Sequence, residues 1–253
     1  SPVSARMRSL ILIAISLGAA LLPRYSEYLS KNQNHLLVDE ARSALRMLLF
    51  LSIPSAIGMY FLAVPLTDVL FRRGSFTVDD TLKTAIVVQV YGALLLFSSI
   101  SKVTVPAFYA MKDTRLPALV ACVVLAVHIV LGQQLVNYYG LTGLACATAI
   151  SGFLNMFILQ VFFHFRFGKL GNRELWISVF RMLPASVALW AICAFGHPWF
   201  SEVLQSRVAT LGADVCLGAG GYFLVSYYSG SIESEKLLGR FFRRLPKPFF
   251  FGR

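Results

Sequence analysis

Seven apolar stretches, at roughly 8–29, 43–70, 81–108, 117–137, 141–164, 176–199 and 207–228, restrict what this chain can become more than any motif does. Each is long enough to cross the roughly 30 Å hydrocarbon core of a bilayer as a helix. Backbone N–H and C=O groups find no water there, so a spanning segment must satisfy them within helices or a closed barrel. A barrel would show alternating segments of about ten residues, and these runs are continuous. The expected fold class is all-α integral membrane, with about seven transmembrane helices. They would form a helical lobe over residues 1–230, followed by a basic, aromatic tail over 231–253.

Composition points the same way. The chain is 57% hydrophobic and only 14% charged, against roughly 25% charged in soluble domains. A net charge of +11 raises the question of nucleic acid, but the basic residues sit in short loops between apolar runs and in the tail. No nucleic-acid partner is expected; in a membrane protein such charges set topology and attract anionic membrane lipids. With the start of the chain placed outside, sixteen Lys and Arg residues fall on the inner side and six on the outer, Lys102 lying within a span. This predicts an outside N-terminus and a cytoplasmic C-terminus. The tail EKLLGRFFRRLPKPFFFGR either lies in the inner interface, held by aromatic burial and anionic lipid, or is a solvated segment that reinforces topology.

Residues able to carry chemistry are few. Cys122, Cys146, Cys193 and Cys216 fall inside apolar runs without metal-type spacing and are expected to be small buried thiols. No nucleophile–base pair, paired carboxylates or metal cluster is visible, so neither an enzyme nor a cofactor is expected. His128 lies near the middle of a span, where it serves either a hydrogen bond between helices or a transport step. Asp214 lies about two turns below the outer boundary and either couples to protons or ions or pairs with a neighbouring helix. Lys102 either snorkels to the headgroups or lines a cavity for an anionic substrate. Prolines in or beside most spans (Pro23, Pro54, Pro106, Pro117, Pro184) suggest kinked helices of a bundle that changes shape, or only the commonness of proline in membrane helices.

The junction VLFRRGSFTVDDT, residues 69–81, puts charge between two apolar runs. Asp68 and Arg72 are spaced i, i+4 with the acid first, the favourable order for a helical ion pair. Gly74 permits a tight or left-handed turn. Thr77 three residues before Asp80 resembles a capping box with a shortened acid. Asp68, Arg72, Arg73, Gly74 and Asp80 are thus expected to organise an outer loop, with Arg73 the member left over.

The same stretch carries a resemblance. LFRRGSFTVDDT is similar to the LF-x-RG-x-FT-x-x-D-T signature of the MurJ (MviN) family of lipid II flippases. SLGAALLPRYSEYLSK, LLFLSIPSAIGMYFLAVPLTDVLFRRG, SKVTVPAFYAMKDTRLP and GLTGLACATAISGFLNMFIL resemble further family elements in the family's order, covering residues 10 to about 165. The resemblance implies a two-lobed, fourteen-span exporter-like fold, of which this chain would be the C-terminal half. It also implies a multi-pass protein of the bacterial inner (plasma) membrane, with a missing N-terminal lobe as partner. Ser1, without an initiator Met or a signal-peptide pattern, also suggests a piece of something longer.

The implied task is moving a lipid-linked peptidoglycan precursor, carried on undecaprenyl pyrophosphate, across the membrane by alternating access. A pyrophosphate calls for cations in a hydrated cavity, for which Arg6, Arg8 and Lys102 are the candidates in this half. The family's outer Asp-Arg pair would fall at Val3-Ser4, with Arg6 and Arg8 displaced from it. The alternatives are a related exporter of another polyprenyl-linked saccharide or of a drug, and a non-transporting membrane scaffold with the same fold.

Overall fold

A computed structural model describes residues 21–204, 206–230 and 233, and among them every regular element is a helix. Residues 21–30 form α1; α2 is Asn34–Phe61, α3 Ala63–Phe71, α4 Val78–Ala110, α5 Arg115–Phe167, α6 Arg173–Ala191, α7 His197–Leu204 and α8 Arg207–Tyr228. A π-helical turn, Ile192–Gly196, joins α6 to α7 without a break. Five stretches (α2, α4, α5, the α6–α7 run and α8) are long and apolar enough to cross a membrane.

Local chemistry explains the ends. Leu62 leaves helical geometry between α2 and α3, so the apolar run 43–70 is two helices, and α2 begins already at Asn34 among charged residues. Thr77 opens α4 with a reciprocal cap: its hydroxyl accepts from the Asp80 N–H while the Asp80 carboxylate accepts from the Thr77 N–H. Asn172 caps α6 by accepting from Leu175 N–H. Within the 53 residues of α5, Gly140 has φ +58 and ψ −135, a conformation open to glycine, and the chain reverses there. Gly143 meets the Leu135 carbonyl, Gly132 faces Leu144, and His128 bonds Ser151, so the two halves of α5 lie antiparallel.

Two buried clusters share α2. One joins α1, the first half of α2, the end of α4 and both halves of α5 through Tyr25, Leu37, Leu45, Phe108, Val120 and Phe163. The other joins α2 to α6, the π-turn and α8 through Phe50, Leu62, Met182, Leu189, Cys193 and Tyr222. Small residues set the closeness of these contacts, as helices without a hydrophobic driving force in lipid require. A methyl group at Gly218 would lie 2.8 Å from Leu189 Cδ1, and one at Gly221 2.4 Å from Ile192 Cδ1.

One bond ties the α2 proline to the packing. Pro54, inside α2, has no N–H to give the Phe50 carbonyl four residues before it. The Tyr222 hydroxyl of α8 donates to that carbonyl instead, at 3.0 Å, in a fully buried position.

Candidate functional site

Lys102 lies on α4 in a cleft of about 550 Å³ formed with the second half of α5. Ser98, Ser101, Pro106, Gly152 and Asn155 are among the lining residues. Gly152 brings α5 so near that an added methyl would lie 2.2 Å from Leu94 Cδ1. Pro106 has no N–H for the Lys102 carbonyl, which leaves that acceptor without its helical donor at the cleft. Lys102 is exposed and has no ion pair among the described residues. An unpaired ammonium beside hydroxyl and amide groups, in a run otherwise apolar, is suited to an anion and costly against lipid tails. Ser98 and Asn155 carried no signal of their own; only the crossing of α4 and α5 gathers them.

The junction residues gather at one end of the bundle. Asp68 Oδ1 accepts from Arg72 Nη1 at 2.9 Å, and Asp68 Oδ2 lies 3.2 Å from Arg207 Nη1. Arg207, at the start of α8, has no sequence neighbour that reveals this pairing. Gly74 takes φ +61 in the turn that follows. Arg73 is exposed, and its own N–H donates to the Phe71 carbonyl. Asp80 is committed to the α4 cap.

Asp214 and His128 are both bonded to neighbouring helices. Asp214 is fully buried, its Oδ2 2.6 Å from His197 Nδ1, while its Oδ1 has no hydrogen-bond partner among the described residues. His197 follows the π-helical turn, a local widening that often marks functional positions. An apolar cavity of about 310 Å³ lies beside Asp214, lined also by Pro54, Cys193 and Tyr222. His128 Nδ1 lies 3.3 Å from Ser151 Oγ across the α5 hairpin. Arg6, Arg8 and the tail after Glu233 lie outside the described residues. At the opposite end, Arg42 donates to the carbonyls of Lys169 and Leu170, tying α2 to the loop before α6. No group of three or more His, Cys, Asp or Glu able to hold a metal occurs among the described residues.

A family model described as Lipid II flippase MurJ matches residues 7–210. The chain belongs to the MurJ family. Among curated MurJ relatives, the chain is 39% identical over 151 residues to a probable lipid II flippase MurJ of Bdellovibrio bacteriovorus, covering 60% of this chain and 29% of that protein. It is 29% identical over 219 residues to the Vibrio cholerae probable lipid II flippase MurJ, covering 85% of this chain and 42% of that one. A solved structure, a lipid II flippase MurJ in an inward closed conformation, matches with TM-score 0.65 and 24% identity, over 94% of this chain and 46% of that chain. That likeness shows the fold, an all-α membrane bundle. The chain thus spans less than half the length of these MurJ relatives.

Proposed function

We propose that this chain forms the C-terminal lobe of a lipid II flippase, which moves undecaprenyl-pyrophosphate-linked peptidoglycan precursor across the bacterial inner membrane. The role is transport rather than catalysis. Movement proceeds by alternating access, this lobe rocking against an N-terminal lobe around a shared cavity. In this reading the seven expected spans leave the chain's start outside and its tail in the cytoplasm. The sixteen-to-six division of basic residues supports that orientation.

The observation that carries the proposal is Lys102, a cation without an ion pair among the described residues, in a cleft with Ser98, Ser101 and Asn155. Such a site meets a pyrophosphate by charge and its hydroxyl-rich attachments by hydrogen bonds. Arg6 and Arg8, outside the described residues, are the other candidate cations of this half.

The test is rescue of a flippase-depleted bacterium by the full-length protein containing this chain. Lys102→Gln should lower rescue at unchanged membrane abundance, while Lys102→Arg should retain part of it. Full rescue by Lys102→Gln and Lys102→Glu alike would remove Lys102 from the pathway. A single lobe cannot close a two-lobed cavity, so the isolated 253-residue chain should not move lipid II across liposomes.

A further inference from the structure

The Asp68 cluster opens onto a second cleft, about 390 Å³, at the end of the bundle that holds the 72–77 turn. One wall is polar: Asp68, Arg72, His197, Ser206, Arg207 and Thr210. The apolar wall is Val64, one turn before Asp68 on α3, with Val78 and Leu82 on α4, and these are 41%, 53% and 48% exposed. We propose that this cleft binds the phosphate of an anionic phospholipid, with the glycerol and upper acyl chain lying along the apolar wall. This rests on the membrane placement of the chain and not on the precursor it carries.

Charge and donor counts support the assignment. Two guanidiniums share one carboxylate, leaving a net single positive charge on the Asp68 cluster, while His197 is taken up by Asp214. A guanidinium has five N–H donors in a planar fork. Among the described residues, Arg72 and Arg207 are each paired only with Asp68, and their side chains are 36% and 62% exposed. The remaining N–H edges suit the paired oxygens of a phosphate. Ser206 and Thr210 line the same wall with hydroxyls.

A cluster that served only to join α3 to α8 would need no open cleft and no adjoining apolar wall. A soluble phosphate would make no use of Val64, Val78 and Leu82. Exposed apolar side chains beside a cationic rim match the layered chemistry of a phospholipid at the interface, where basic groups attract anionic headgroups.

The test uses the full chain in non-ionic detergent, probed with phosphatidylglycerol, phosphatidylethanolamine and inorganic phosphate. Native mass spectrometry should show phosphatidylglycerol retained about tenfold over phosphatidylethanolamine. Hydrogen exchange of the unmodified chain should slow at residues 64–72 and 206–210 when phosphatidylglycerol is added. R72Q/R207Q should abolish the preference. Asp68→Asn should strengthen it about threefold, because it frees both guanidiniums, whereas a purely structural cluster would only be weakened by that change. Equal retention of the two lipids, protection confined to other segments, or weaker phosphatidylglycerol binding by Asp68→Asn would each overturn the assignment. Inorganic phosphate displacing bound phosphatidylglycerol at equal concentration would overturn the role of the apolar wall.

Discussion

The bond from Tyr222 to the Phe50 carbonyl makes a sharp prediction, because its need is created by Pro54 four residues along α2. Phe50 and Tyr222 are 0% and 1% exposed, so no water replaces a lost partner. Tyr222→Phe removes the donor and leaves a buried carbonyl unsatisfied, a loss of about 1–3 kcal/mol. Pro54→Ala restores an N–H at position 54 and with it the ordinary helical donor to Phe50. In that background Tyr222→Phe should cost no more than about 0.5 kcal/mol, since the carbonyl keeps a partner. The two changes should therefore couple by about 1–2 kcal/mol in a double-mutant cycle. Reversible unfolding in mixed micelles, followed by circular dichroism, measures the four corners. Equal costs of Tyr222→Phe with proline and with alanine at position 54 would refute the link between the proline and the cross-helix bond.

Three further outcomes are expected. Gly143→Ala would place a methyl 2.1 Å from the Leu135 carbonyl, and should destabilise the α5 hairpin by about 1–3 kcal/mol in the same unfolding measurement. Thr77→Ala removes one half of the α4 cap and should cost about 1 kcal/mol, with faster amide exchange confined to the first turn. His197→Leu leaves buried Asp214 without its hydrogen-bond partner and should cost about 1–3 kcal/mol, whereas His197→Leu with Asp214→Leu should cost less than that single change; a larger loss in the double variant would refute the pairing.

What could be seen in the sequence was whatever depends on neighbours along the chain. Spans of apolar residues imply helices because hydrocarbon offers the backbone no other partner. The Asp68–Arg72 spacing, the Gly74 turn and the Thr77–Asp80 cap are set within four residues, and family membership is carried by motifs of the same short range. The junction expected to organise an outer loop has Asp80 in the α4 cap and Arg72 in an ion pair. The Lys102 cleft was half legible: an isolated cation in an apolar run stands out, but its companions Ser98 and Asn155 do not.

Only the tertiary structure decided which distant groups meet. The hydroxyl of Tyr222 reaches a carbonyl 172 residues earlier, Arg207 joins Asp68, and His197 stands over buried Asp214. A membrane helix is apolar on every side, so its pattern does not say which face meets protein and which meets lipid. Those choices come from shape: Gly218 and Gly221 let α8 close on α6 and the π-turn, and Gly140 turns α5 back on itself. Composition and local capping thus determined that the chain is a bundle of membrane helices. The fit of small residues against large ones, acting across the bundle, decided where its few polar groups come together.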